Sequence, residues 1–271
     1  MSQVLLPVTE SGTLFFRCNI CGANCDTLLD QLERETRSCA SCGSTPRYRA
    51  VIRALTLALF GKPVALPDME RHQEITGLGL TDWDNYAAKL AEKFAYQNTF
   101  YHQEPRFDIS DPAIAPHLIS SQDFIISSDV FEHVAPPVDK AFRNAWMILK
   151  PRGVLVLTVP YGLQTETIEH FPDLNDYGLV NQEGSYLLRN VTAAGETQEF
   201  RKLVFHGGPG TTLEMRVFAR DDLLHRLRQA GFDEVCIHHT PDFAHGVWWP
   251  EPWSLPVTAR KPVGGSKDET T

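Results

Sequence analysis

Apolar positions recur at helical spacing across 46–60, behind Pro46 and ahead of Gly61, and the spacing predicts a helix there. Gly61, Pro63 and Pro67 then mark a linker. A short strand starting near Glu74 runs into the sequence Gly77-Leu78-Gly79, and 83–94 reads as the helix that follows. The string DFIISSD at 123–129 is an apolar run with a polar end, the pattern of a buried parallel strand. Val138, Ala141, Phe142, Ala145, Ile148 and Leu149 repeat at helical spacing until Pro151 and Gly153 stop them. The stretch 153–160 is apolar and reads as a second buried strand. Strand, helix and strand in this order form one βαβ unit, and open α/β sheets bind ligands at the polar C-terminal ends of such strands. The expected fold class is α/β, a sheet with helices on both faces. A last strand is expected over 254–259.

Composition narrows the class. In 271 residues, 42% are hydrophobic and 22% charged, enough for one large α/β domain or two smaller ones and unlike a disordered chain. No apolar run reaches the ~18–20 residues of a membrane helix, so no membrane partner is expected. The first sixteen residues carry Glu10 and no Lys or Arg, which does not read as a secretory signal. A reducing cytoplasm is the expected setting, and there cysteines serve as metal ligands or free thiols. The net charge of −9 disfavours a nucleic-acid binder that uses its whole surface.

Five of the six cysteines fall within the first 42 residues. The strings CNICG at 18–22 and CASCG at 39–43 are two knuckles, spaced C-x2-C-x17-C-x2-C. That spacing suits a zinc ion held by Cys18, Cys21, Cys39 and Cys42, because each tight turn offers two sulfurs to one ion. Gly22 and Gly43 can turn left-handed behind each knuckle. Cys25 is read as a spare thiol. Four protein ligands leave zinc no open position, so its role is structural and it supplies folding energy to a ribbon with almost no core. Residues 34–53 hold Arg34, Arg37, Arg47, Arg49 and Arg53 against Glu35 alone. Pairing of these arginines with an acidic main domain is the favoured reading over contact with phosphate.

The middle of the chain resembles a known family. DFIISSDVFEHV at 123–134 and ILKPRGVLVLTVPY at 148–161 are similar to the fourth strand, helix and fifth strand of class I S-adenosylmethionine-dependent methyltransferases. VFARDDLLHRLRQAGFDEVCIH at 217–238 is similar to the family's late helix, its AGF stop and the strand after it. The resemblance implies a Rossmann-like methyltransferase sheet and S-adenosylmethionine as cofactor. It implies close backbone approach at Gly77 and Gly79, adenine contacts at Asp108 and Ile109, and a pocket-facing Asp129. Asp82 joins the cofactor candidates. Ile75 stands where the family usually has an acid, and the second strand offers Tyr96-Gln97-Asn98-Thr99-Phe100 without one. Asn98, Glu104 and Asp82 remain open as substitutes at the ribose.

The expected organisation is a zinc ribbon with its arginine-bearing helix at 1–60, the methyltransferase domain at 61–263 with an insertion at 162–210, and a disordered tail at 264–271. Methyl transfer needs in-line positioning, and a base when the acceptor is a hydroxyl or amine. His133, Tyr161, His170 and His206 are candidates, and none is assigned as catalytic. The insertion, with the glycine-rich string HGGPG at 206–210, is where acceptor specificity would be built. An acceptor walled by Tyr161, His170 and His206 suits a small molecule, a saccharide or a natural product. The alternatives are an RNA methyltransferase whose ribbon presents the strand, or a binding module that kept the fold and lost the chemistry. The aromatic stretch 247–253 reads as an edge loop over the core, and Cys236 as a buried thiol.

The doubled knuckle predicts one zinc ion per chain. Elemental analysis of purified protein should give one equivalent, retained in Cys25→Ser and lost in Cys39→Ser. Far less than one equivalent in the unmodified protein would refute the assignment.

Overall fold

The computed structural model describes residues 8–182, 184–206, 208 and 210–263. The tail at 264–271, and Gly207 and Pro209 of the glycine-rich string, lie outside them.

The chain opens with the antiparallel hairpin of β1 (Thr13–Arg17) and β2 (Asn24–Leu28), with Phe16 opposite Cys25. Helix α1 (Pro46–Phe60) follows the second knuckle. The Thr45 side chain accepts the Tyr48 N–H, Pro46 occupies the first turn, and Gly61 closes the helix at φ 72°. Strand β3 (His72–Leu80), helix α2 (Asp84–Lys93) and strand β4 (Phe94–Thr99) come next, then β5 (Gln122–Ser128), α3 (Asp139–Ile148) and β6 (Leu149–Thr158).

The insertion fills the chain between β6 and β14, wider than the expected 162–210, and its described residues form seven short strands: β7 (Tyr161–Gly162), β8 (Ile168–Glu169), β9 (Asp176–Gln182), β10 (Ser185–Val191), β11 (Thr197–Phe200), β12 (Phe205–His206) and β13 (Thr212–Leu213). Strand β14 (Arg216–Ala219), helix α4 (Arg220–Gln229), β15 (Asp233–Ile237) and β16 (Val257–Arg260) end the fold.

The main sheet has the order β15-β16-β6-β5-β3-β4. The strands β6, β5, β3 and β4 run parallel, while β16 and β15 are antiparallel additions. From β3 the chain moves outward to β4, then returns to the other side of β3 with β5. The strand order therefore reverses between β3 and β5, and a crevice opens at their C-terminal ends.

Alternation along the strands divides the core in two. On β5, Ile125 packs with α3 and α4 through Phe142, Ala145, Leu223 and Leu227. Phe124 and Ile126 face the other way, onto Val51, Ile52 and Leu55 of α1 and Tyr86 and Leu90 of α2. Helix α1 is thus one of the covering helices of the sheet. Residues on both sides of 60/61 share this core, so α1 and the sheet pack together.

Two expectations change. The pair Gly77 and Gly79 lies inside β3 and not in the turn after it. A Cβ at Gly77 would overlap the Phe124 ring, so this glycine makes room for a core aromatic. Cys236 is exposed, on an edge strand, and not a buried thiol. The 247–253 loop does cover the core: Val247 and Trp249 are buried against Ala50, and Trp248 packs on the hairpin's cluster with Phe16 and Leu32.

Gly77→Ala should overpack this contact and cost about 1–3 kcal/mol. A urea unfolding midpoint equal to that of the unmodified protein would contradict the packing account.

Candidate functional site

Strand β3 ends at Leu80, and the chain turns at Thr81 with φ 57°. The turn is pinned to β4. Thr81 N–H donates to Thr99 O at 2.7 Å, Asp82 N–H to Asn98 Oδ1 at 2.9 Å, and Asn98 Nδ2 to Asp82 O at 2.9 Å. Asn98 is therefore engaged in holding the turn. The Asp82 carboxylate is buried and accepts the hydroxyls of Tyr86 and Tyr96. Burial pushes it up to about 7 even though both hydroxyls favour the charged form. A Cβ at Gly79 would collide with Tyr96 and Asp82, so Gly79 serves this cluster as Gly77 serves Phe124.

Beyond these strand ends lies a cleft of about 880 Å³. Leu80, Asp82, Asp108, Ile109 and Asp129 line it, as do Trp83, Tyr101, His102 and Gln103, which sequence reasoning missed. Neither Gly77 nor Gly79 is among the lining residues. Asp108 Oδ1 is held by Ser110 N–H at 2.8 Å and Ser110 Oγ at 2.7 Å. The buried Asn144 of α3 fixes the same segment by donating to Ile109 O at 2.7 Å and Asp111 O at 2.8 Å. Glu104 is exposed and caps Arg106 N–H. From the opposite side the insertion contributes Tyr177, Leu179, Leu188, Thr212 and Leu213.

Asp129 stands at the tip of β5 with φ 55°. Arg34 grips it with two bonds, Nη2 to Oδ1 at 2.7 Å and Nη1 to Oδ2 at 3.0 Å. Arg47 Nε lies 3.3 Å from Oδ2, and Thr158 Oγ1 donates to Oδ1 at 2.9 Å. Burial alone would raise this carboxyl, but the two guanidiniums and the Thr158 hydroxyl outweigh it and hold the carboxyl down to about 2. Arg47 also donates to Glu35 at 2.6 Å, and Arg53 pairs with Asp242 at 3.3 Å. A second hollow of about 710 Å³ beside the cleft is walled by Arg34, Glu35, Arg47, Tyr48 and Trp83, and shares Asp129, His133 and His206 with it. The ribbon therefore forms one wall of the site.

The four knuckle sulfurs lie within 4.8 Å of one another. Cys18 and Cys42 are 3.8 Å apart and Cys21 and Cys39 3.6 Å. Zinc–sulfur bonds of ~2.3 Å in a tetrahedron place sulfurs ~3.8 Å apart, so the residues fit the ion. Gly22 at φ 82° and Gly43 at φ 75° close the same turn twice, each N–H donating at 2.8 Å to the carbonyl of the first cysteine. Cys25 is outside the set but its thiol lies 3.4 Å from Cys39 Sγ. The fully buried Arg49 donates to Ser38, Ser44 and Gly246 O, and its guanidinium sits 4.6 Å from the centre of the Phe16 ring. This arginine ties the second knuckle to the C-terminal loop.

Of the four candidate bases, the structure brings His133 and His206 into the cleft. His170 bonds Glu214 at 2.9 Å, behind His206. Tyr161 is buried, its hydroxyl accepts Leu255 N–H at 3.1 Å, and it lines neither hollow. It is a packing residue, because β7 pairs with β14 and its ring joins the core cluster of Val159, Phe218 and Leu223. Burial pushes its hydroxyl up, and His133 is pushed down by the same cause. Glu132 was unremarked in the EHV string; it is fully buried, and burial, with Asp129 nearby, pushes its carboxyl well up.

Residues 69–157 match the family model described as a methyltransferase domain. That span is similar to a methyltransferase domain and overlaps the stretch 123–161 that carries the resemblance. No match was found among curated proteins. Among solved structures, one similar chain is an S-adenosylmethionine-dependent methyltransferase from Clostridium acetobutylicum, at 15% identity and TM-score 0.39, covering 70% of this chain and 84% of that one. Another is an amino pentose methyltransferase from Micromonospora echinaspora, at 16% identity and TM-score 0.43, covering 81% and 92%. A third is a sugar N-methyltransferase from a Streptoalloteichus species, at 14% identity and TM-score 0.43, covering 80% and 86%. Likeness at this level bears on no detail of the methyltransferase site.

A carboxyl whose folded pKa is lowered adds stability that is complete above its unfolded value and lost as pH falls through the folded one. Asp129→Asn should therefore cost about 2 kcal/mol at neutral pH. The difference from the unmodified protein should shrink as pH falls below 4 toward about 2. Parallel stability–pH curves for the two proteins would show that Asp129 does not carry this linkage.

Proposed function

We propose that the protein transfers a methyl group from S-adenosylmethionine to a small-molecule acceptor, a saccharide or a natural product, and that its ribbon holds a structural zinc. One observation carries the reading of the acceptor. The cleft at the ends of β3, β4 and β5 is walled on its far side by the insertion, through Tyr177, Leu188 and Leu213. A concave, roofed site of about 880 Å³ suits a cofactor with a small partner. A nucleic-acid duplex needs an open basic track instead. Four of the five arginines that could form one are engaged internally: Arg34 and Arg47 with Asp129, Arg53 with Asp242, and Arg49 with serine and backbone oxygens.

The cofactor supplies an electrophilic methyl group on a sulfonium. Asp108, with Ile109 beside it, would hold the adenine, and Tyr101, His102 and Gln103 offer the polar groups nearest the end of β4, where the ribose acid of the family is missing. The Thr81–Asp82 turn, pinned by Asn98, presents backbone to the rest of the molecule. The insertion excludes water from the opposite side. His133 and His206 stand where the acceptor would enter, so they orient it. Placing acceptor and methyl group in line is the main demand of the reaction, and a roofed cleft meets it by restricting both partners.

Calorimetry should detect binding of S-adenosylhomocysteine at one site per chain, and Asp108→Ala should weaken it by roughly 1–3 kcal/mol. His206→Ala should lower turnover far more than cofactor affinity. Absence of any binding would favour the degenerate binding module. Robust methylation of bulk RNA, lost when the exposed Arg37 is replaced by Gln, would overturn the small-molecule reading.

A further inference from the structure

We propose a second metal centre, distinct from the ribbon's four cysteines: a divalent transition-metal ion held by Glu132, His133 and His206 at the acceptor side of the cleft. One atom from each of these residues lies within 4.8 Å of the others. His133 Nε2 is 3.1 Å from His206 Nδ1 and 3.8 Å from Glu132 Oε1. Ligand bonds of ~2.0–2.2 Å to nitrogen and oxygen put neighbouring donors ~3.0–3.5 Å apart, so a small inward movement closes the set around an ion.

The hydrogen bonding around the cluster leaves this space for a cation. Leu213 O lies 2.9 Å from His133 Nδ1 and can only accept, so neutral His133 carries its lone pair on Nε2. Glu214 Oε2 lies 3.3 Å from His206 Nε2 and, as a carboxylate, also only accepts. Neutral His206 then carries its lone pair on Nδ1. Two lone pairs therefore face each other across 3.1 Å. The third member is Glu132, 0% exposed, with neither carboxylate oxygen bonded to any donor among the described residues. A shared proton would join the two imidazoles and leave Glu132 unpartnered. A metal ion satisfies all three at once.

The surroundings are those of a ligand set oriented from outside. His133 is held by the Leu213 carbonyl, and His206 by Glu214, whose other oxygen is 2.9 Å from His170 Nε2. A metal-bound imidazole characteristically gives its second N–H to a carbonyl or carboxylate in this way. Two imidazoles and one carboxylate select a borderline divalent ion and leave coordination positions open. Because His133 and His206 line the cleft while Glu132 lies buried behind them, the open positions face the acceptor.

The role of the ion rests on the proposed methyl transfer; its binding does not. An acceptor hydroxyl on the ion would lose its proton to water, and its oxygen would form the bond to the methyl carbon. The electron pair of the breaking carbon–sulfur bond would stay on sulfur.

The test adds Mn2+, and separately Co2+, to the full zinc-loaded chain. Thiolate ligands favour zinc over these ions by softness, so uptake reports the second centre. Free Mn2+ is read by electron paramagnetic resonance and bound Co2+ by its visible absorption. One further equivalent should bind in the unmodified protein, with at least tenfold weaker binding in His206→Ala and in Glu132→Gln. His206 is partly exposed, so its variant keeps the fold, which circular dichroism checks. No uptake of either ion, or uptake by both variants equal to that of the unmodified protein, would overturn the proposal. Uptake without any S-adenosylhomocysteine binding would leave the metal centre standing and refute the proposed function alone.

Discussion

A carboxylate buried at the tip of a strand stays charged only when cations reach it, and at Asp129 those cations come from the ribbon. Arg34 and Arg47 cross to it from the segment around the second knuckle and the start of α1, with Thr158 completing its partners. Leaving such a charge without its partners would cost several kcal/mol, so ribbon and sheet are held to one relative placement. The residues immediately after Asp129 are Glu132 and His133. The same clamp thus sets where these two residues stand beside the cleft.

The ribbon itself depends on two supports. Four sulfurs at tetrahedral spacing account for its knuckles, and a hairpin of ten strand residues has little else to bury. Helix α1 gives the second support by inserting Val51, Ile52 and Leu55 into the core under β5 and β6. Arg49 joins the two, since one guanidinium bonds the serines flanking the knuckle and the carbonyl of Gly246. Such an arrangement joins the knuckles to the packing of the whole chain.

Around the cleft the insertion acts as a wall and as a carrier of side chains. Its short strands β12 and β13 bring His206 and Leu213 over the β5 tip, where Leu213 O orients His133. Glu214 and His170 follow as an outer layer. Polar residues so placed are expensive to bury for packing alone, which marks the region as the chemical part of the molecule.

The amino-acid sequence by itself determined the helices at 46–60, 83–94 and 138–149, the βαβ unit, and the pairing of knuckles, because each rests on local spacing or a local turn. Pro46 with Thr45, and Gly22 with Gly43, carry that information in neighbouring residues. Asp82 and Asp129 were legible as cleft residues because they follow the ends of β3 and β5, and Asp108 and Ile109 through the family resemblance. Tertiary structure decided the rest. Gly77 and Gly79 became packing glycines because Phe124 and Tyr96 arrive from other strands. Tyr161 was taken into the core by its contact with Leu255. Helix α1 joined the sheet, and Glu132, His133 and His206 met across more than seventy residues of sequence. Such meetings depend on which strands pair and which loops fold over them, and no local pattern encodes a distance between segments so far apart.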